Sequence, residues 1–226
     1  MISIALDGPS GSGKGALAED LAKKMNLIHL DTGAIFRGIA CGFLSLNKSD
    51  PTEEEVKNEI AKIDVKVEIE NGKQQILLNG ENITKDLRRE EVSKLASKLS
   101  AISVVRELYL SIVKKFTDKF DSIIDGRDIT SVVLPDADVK IYLTADEEVR
   151  AKRRYKENVE KGIPCTYEEV LANLKERDYR DSHRDISPLI IVPGAFIVDN
   201  SNYTIEETVE ICYNYAMEIL KERGKV

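Results

Sequence analysis

Apolar positions along the chain follow two alternating rhythms. Short runs rich in β-branched residues, at positions 2–6, 27–30, 122–124, 139–143 and 195–198, read as buried strands. Between them apolar residues return every three or four positions, the spacing of amphipathic helices. Residues 14–25 form one such pattern, Ala34, Ile35, Phe36, Ile39, Ala40 and Phe43 a second, and Ile211, Tyr215 and Ile219 share one face of the last. Further helices are expected from about 85 to 100 and from 104 to 120. Five strands alternating with helices imply a parallel sheet covered on both faces, a three-layer α/β fold.

One stretch departs from this alternation. From Val65 to Ile83 the period becomes two, as VKVEIEN and QQILLNGENI, with Asn71-Gly72 between them. This is a hairpin signature, and it reads as a small β-rich insert. Helix starts are expected at Asp50 (with Pro51 in the first helical position and Glu53 closing a capping box) and at Thr144–Glu147, Thr166–Glu169 and Thr204–Glu207.

Composition narrows the class. The 226 residues, 42% hydrophobic and 32% charged, suit one α/β domain with an insertion or two small domains. No apolar run approaches the ~18 residues of a membrane span, and no signal segment opens the chain, so a cytoplasmic protein without membrane contact is expected. A net charge of −7 argues against nucleic-acid partners. Cys41 and Cys212 read as reduced helix residues and Cys165 as a loop thiol, not as disulfides or metal ligands. No long exposed apolar stripe is left over, which favours a monomer.

The chemistry concentrates at strand ends. After the first strand, Asp7 is followed by Gly8, Pro9, Ser10, Gly11, Ser12, Gly13 and Lys14, and a helix begins. Glycines let successive N–H groups turn toward anionic oxygens, and the helix N-terminus adds its own donors and dipole. Lys14 then places a point charge between the β- and γ-phosphates. The GxxxxGK(S/T) phosphate-loop pattern is met up to Lys14. Gly15 stands where a hydroxyl on magnesium is expected, and Ala16 offers none either, a GKG variant typical of nucleoside monophosphate kinases.

At a later strand end, Asp125-Gly126-Arg127-Asp128 sets two carboxylates and a guanidinium together. Asp125 occupies the place of a magnesium-holding acid, acting directly or through water, and Arg127 suits a phosphate or carboxylate in fork geometry. Between Arg150 and Arg184 lies an arginine-rich stretch that Gly162-Ile163-Pro164 breaks into two arms, which could fold over the glycine loop and exclude water. His29 and His183 are not obvious catalysts, and a phosphate acceptor, already ionised, needs no general base. Asn47-Lys48-Ser49-Asp50 matches a guanine-reading pattern in the wrong place and is read as a capped loop.

These residues together resemble the bacterial cytidylate kinases over nearly the whole chain, through GPSGSGKG, DTGAIFR (31–37), the insert ending in LNGENI, SKLSAISVVR (97–106), DGRD and ERDYRDSHRD (176–185). The resemblance implies a single P-loop kinase domain with a five-stranded parallel sheet. It would comprise a core (about 1–36, 101–150 and 185–226), a nucleoside-monophosphate-binding region with the insert (about 37–100) and an arginine-rich lid (about 151–184). It implies transfer of the γ-phosphoryl of ATP to CMP or dCMP, with Mg2+. Gly8 to Ala16 would hold the ATP phosphates, and Arg153, Arg154 and Arg184 would belong to the closing flap and the transferring phosphates. Thr32, Phe36, Arg37, Ser97, Arg106, Asp125, Arg127, Asp128, Arg177 and Asp181 would form the CMP site, with Ser97, Arg106 and Asp128 on the base and Asp181 on the sugar. Lys14, Arg127, Arg153 and Arg184 would be the catalytic charges. Phe36, where tyrosine is common, and Ala16, where threonine is usual, depart from the family pattern. The rival readings are another small-molecule P-loop kinase and a non-catalytic nucleotide switch.

Overall fold

The computed structural model describes all residues from 1 to 226. In chain order it forms β1 (Ser3–Asp7), α1 (Lys14–Met25), β2 (Ile28–Asp31), α2 (Thr32–Ser45), α3 (Glu53–Glu59), β3 (Val65–Glu70), β4 (Lys73–Leu78) and β5 (Glu81–Asn82). There follow α4 (Glu90–Leu99), α5 (Ser103–Thr117), β6 (Ser122–Gly126), a π-helical turn at Ile129–Val133, and β7 (Val139–Thr144). The chain closes with α6 (Glu147–Glu160), α7 (Tyr167–His183), β8 (Phe196–Asp199) and α8 (Ile205–Glu222). A five-stranded sheet runs in the order β2-β6-β1-β7-β8, and its β1–β7 and β7–β8 pairs are parallel. The chain divides into two compact units, Ile28–Ser122 (with Met1) and Ile2–Leu27 together with Ile123–Val226.

In the second unit the inner strands are apolar because both of their faces are covered. Ile4, Leu6, Ile123, Val139, Ile141 and Leu143 pack with Leu17 and Leu21 of α1 and Cys212, Ala216 and Leu220 of α8, all almost fully buried. The buried line of α8 is thus Val209, Cys212, Ala216 and Leu220, while Ile211, Tyr215 and Ile219 flank it, half-buried. The expected stripe is therefore offset: it lies along the edge of the buried line, one residue back from Cys212, Ala216 and Leu220. Gly162, at φ +68°, ends α6 and separates the two arginine-bearing arms as expected.

In the first unit the insert is a three-stranded antiparallel sheet, β3-β4-β5. Asn71 and Gly72 both adopt positive φ, as a two-residue type I′ turn requires. A second Asn-Gly pair, Asn79-Gly80, makes the same turn into β5, a two-residue strand too short to show a period in the sequence. The insert docks on α2 at a glycine, since a Cβ at Gly38 would lie 2.7 Å from Cγ2 of Ile76, and the segment leading into the insert does the same at Gly42, where a Cβ would lie 2.6 Å from Cγ2 of Ile63. Asn47, at φ +59°, ends α2, with the Lys48 N–H on the Phe43 carbonyl (2.9 Å). The guanine-like tetrapeptide is therefore a helix stop.

Two expected caps are corrected. Thr52, not Asp50, caps α3. Its hydroxyl accepts from the Glu55 N–H and Glu55 accepts from the Thr52 N–H (2.8 Å), while Asp50 pairs with Lys98. Thr144 does not cap α6, because its backbone is committed to the sheet opposite Asp199; Asp146 takes the cap position with no side-chain bond. The boxes at Thr166–Glu169 and Thr204–Glu207 form as expected. Thr52→Ala should lower stability by about 1 kcal/mol in urea unfolding. Asp50→Ala, at a position whose pair is solvent-exposed, should change it by less than about 0.5 kcal/mol.

Candidate active site

The site begins with a buried carboxylate at the end of β1. Asp7 is fully buried and accepts hydrogen bonds from the Ile129 N–H (2.9 Å), the Thr130 N–H (2.7 Å) and the Thr130 hydroxyl (2.6 Å). Burial pushes its pKa up, and these donors oppose the shift. Asp7 thereby fastens the turn that follows Asp125–Asp128 to the strand that launches the glycine loop. Sequence reasoning saw only a strand-ending acid here.

Gly8 is required by the neighbouring strand, since a Cβ would lie 1.9 Å from the Leu143 carbonyl oxygen of β7. Gly11 (φ +75°) and Gly13 (φ +93°) then take left-handed backbone, and Lys14 opens α1. Its ammonium folds back along the loop, donating to the Pro9 carbonyl (2.7 Å) and the Ser12 hydroxyl (3.3 Å). Burial, with the Arg127 guanidinium second, pushes the Lys14 pKa well below the usual lysine value, while Asp125 and Asp7 oppose the shift. An anion in the loop would relieve that penalty. Gly15 has open space around its Cα, and Ala16 is exposed.

A second set of residues, of which only Arg153 is a sequence candidate, braces the outside of the loop. Asp178 of α7 accepts the Ser10 N–H (2.9 Å), and Arg150 of α6 donates to the Ser10 carbonyl (2.8 Å) and pairs with Asp178. Asn200, after β8, donates to the Ser12 carbonyl (3.0 Å). Arg153 in turn donates to the side-chain and backbone oxygens of Asn200 (2.9 and 2.8 Å). Arg150 and Arg153, three residues apart, lie on one face of their helix.

The charges after β6 are also gathered. Arg127 donates to Asp181 (2.8 Å) and to the Gly126 carbonyl (3.1 Å); Arg177 lies 3.9 Å from the same Asp181 oxygen, and Arg184 lies 3.7 Å from Asp128. Asp125, Asp128 and Asp181 are buried, and Arg184 also donates to the Ser187 carbonyl (2.6 Å). Five of the sequence candidates, Arg127, Asp128, Arg177, Asp181 and Arg184, thus form one cluster. Arg154 stays apart, on the exposed side of α6 with Glu157 (3.0 Å).

The remaining candidates lie in the first unit. Thr32 opens α2, whose cap, Asp31, accepts the Ala34 N–H and pairs with Arg37 (2.6 Å). Phe36 stacks on Tyr109 of α5 at 4.4 Å between centroids, and the Arg106 guanidinium lies 5.5 Å from the Tyr109 ring centre and 6.0 Å from that of Phe36. Arg106 also donates to the Ser100 carbonyl (3.4 Å), and the Ser100 hydroxyl donates to the carbonyl of Ser97 (2.9 Å). Tyr109 is fully buried and was not among the residues that the sequence marks out.

Comparison with known proteins gives the family and the fold. The family model described as cytidylate kinase matches residues 4–218. The cytidylate kinase of Caldicellulosiruptor saccharolyticus is 41% identical over 209 residues, 92% of each chain. That of Carboxydothermus hydrogenoformans is 42% identical over 206 residues, 91% of this chain and 93% of its own. Among solved structures, an uncharacterized protein from Eubacterium ventriosum shares the fold at a TM-score of 0.54 and 14% identity, over 96% of this chain and 98% of that one. The glycine loop, the clustered guanidiniums and a sequence match over nearly the full length lead to one assignment: the chain belongs to the cytidylate kinase family.

Proposed function

We infer a division of labour for a cytidylate kinase that transfers the γ-phosphoryl of ATP to CMP or dCMP. The carrying observation is Lys14, a buried ammonium folded over a glycine loop that offers it only neutral acceptors, Pro9 and Ser12. On this reading Gly8 to Ala16 receive the ATP phosphates. With no hydroxyl at Gly15, Mg2+ would be held by phosphate oxygens and water, with Asp125 reached through water, and it would neutralise charge on the phosphates.

The acceptor needs no base, because its phosphate is ionised near neutrality. What the transfer requires is positioned positive charge and exclusion of water. Thr32, Phe36, Arg37, Asp125, Arg127 and Arg177 would belong to the CMP site, as the resemblance implies. Ser97, Arg106 and Asp128 read the base, since a site built for those bonds penalises a base that cannot make them. Asp181 takes the sugar. Arg153, Arg154 and Arg184 serve the closing arms, and Arg153 would exchange its bonds to Asn200 for phosphate oxygens on closure.

The same reading divides the chain into a core (about 1–36, 101–150 and 185–226), a nucleoside-monophosphate region (about 37–100) and a lid (about 151–184). We place the enzyme in the cytoplasm as a monomer. No helix is long and apolar enough to cross a membrane, and the net charge of −7 disfavours nucleic-acid partners.

A coupled assay of ADP formation across CMP, dCMP, UMP and AMP should show CMP and dCMP as the preferred acceptors; preference for another acceptor would overturn the assignment. Lys14→Ala should reduce phosphoryl transfer by several orders of magnitude, at about 1.4 kcal/mol of lost transition-state stabilisation per tenfold, with CMP affinity little changed. Asp128→Ala should chiefly erode discrimination among bases, seen as convergence of kcat/KM for CMP and the other acceptors; unchanged selectivity would refute its role.

A further inference from the structure

The Pro9–Ser10 peptide is held from both ends. Its carbonyl, on Pro9, accepts the Lys14 ammonium (2.7 Å), and its N–H, on Ser10, is taken by Asp178 Oδ1 (2.9 Å). The other Asp178 oxygen pairs with Arg150, which also donates to the Ser10 carbonyl (2.8 Å) and, through Nε, to the Ala145 carbonyl (2.9 Å). Ser10, Asp178 and Arg150 therefore close a hydrogen-bonded ring. Arg150 is 6% exposed and Ser10 8%. The pair is thus no solvated surface bridge. Withdrawing such a pair from water offsets most of its attraction, so fold stability alone does not account for it.

A peptide group is planar, so fixing its N–H direction fixes its carbonyl direction on the opposite side. With Asp178 holding the Ser10 N–H outward, the Pro9 carbonyl has to face inward, where it receives Lys14. If that peptide rotates, Lys14 loses its nearest acceptor, and the ammonium is no longer set over the loop. We propose that Asp178 and Arg150 are positioning residues for the nucleotide donor: by gripping Ser10 they orient the Pro9–Ser10 peptide, and through it they aim Lys14. This rests on the reading of the glycine loop as the ATP phosphate site.

The test is a double-mutant cycle between Asp178 and Lys14, read as separate kinetic constants for ATP and CMP, with melting temperature measured alongside. A hydrogen bond to a charged group that positions a reacting charge is worth enough to lower kcat/KM for ATP by ~10-fold or more in Asp178→Ala, with KM for CMP held within about twofold. Asp178→Asn, of the same shape but without the charge that holds Arg150, should fold and show a smaller loss of the same kind. In the Lys14→Ala background, Asp178→Ala should cost less than about twofold more, because its effect passes through Lys14. The proposal is overturned if the Asp178 variants leave kcat/KM for ATP unchanged. It also fails if they lower the ATP and CMP constants alike in step with melting temperature, or if their loss multiplies in full with that of Lys14→Ala. Should Lys14→Ala alone retain wild-type kcat/KM for ATP, the loop assignment itself falls and takes the proposal with it; loss in Lys14→Ala with none in the Asp178 variants removes the proposal only.

Discussion

A main-chain cradle for phosphates works only if its backbone is held from behind. N–H groups that converge on an anion leave carbonyls facing the protein, where buried oxygens must find donors. Here the Ser10 and Ser12 carbonyls receive Arg150 and Asn200. The glycines permit the loop's path, but these donors select it. The helices that bear the arginine-rich arms are therefore part of the loop's support, and not merely a cover above it.

The local parts of this architecture were readable in the sequence. The order β1, glycine loop, α1 depends on neighbours within a few residues, as do the Thr166 and Thr204 capping boxes, and each appeared where its residues put it. Reading failed where local rules offered two answers or where a distant strand decided. Asp50-Pro51-Thr52-Glu53-Glu54-Glu55 contains two eligible boxes, and the observed one starts at Thr52. Thr144 and Glu147 have ideal spacing, yet pairing with β8 had already committed Thr144.

The site divides along the same line. Gly8 to Lys14 and Asp125 to Asp128 stand in compact motifs, and resemblance supplied most of the rest of the candidate list. Asp178 and Arg150 are invisible to such reasoning, because in sequence each is one more charge on a charged helix. Their partner, Ser10, lies 168 and 140 residues away. In the first unit, Tyr109 looked like any buried aromatic, although it stacks on Phe36 and underlies Arg106. Phe36 keeps that stack without the hydroxyl a tyrosine would bring.

Asp7 carries a consequence for accuracy. It immediately precedes Gly8, and the amide it grips at Ile129 immediately follows Asp128. One carboxylate thus links the start of the donor cradle to the turn that bears Arg127 and Asp128. Small displacements of the two are therefore shared and not independent, which keeps errors in their mutual alignment small.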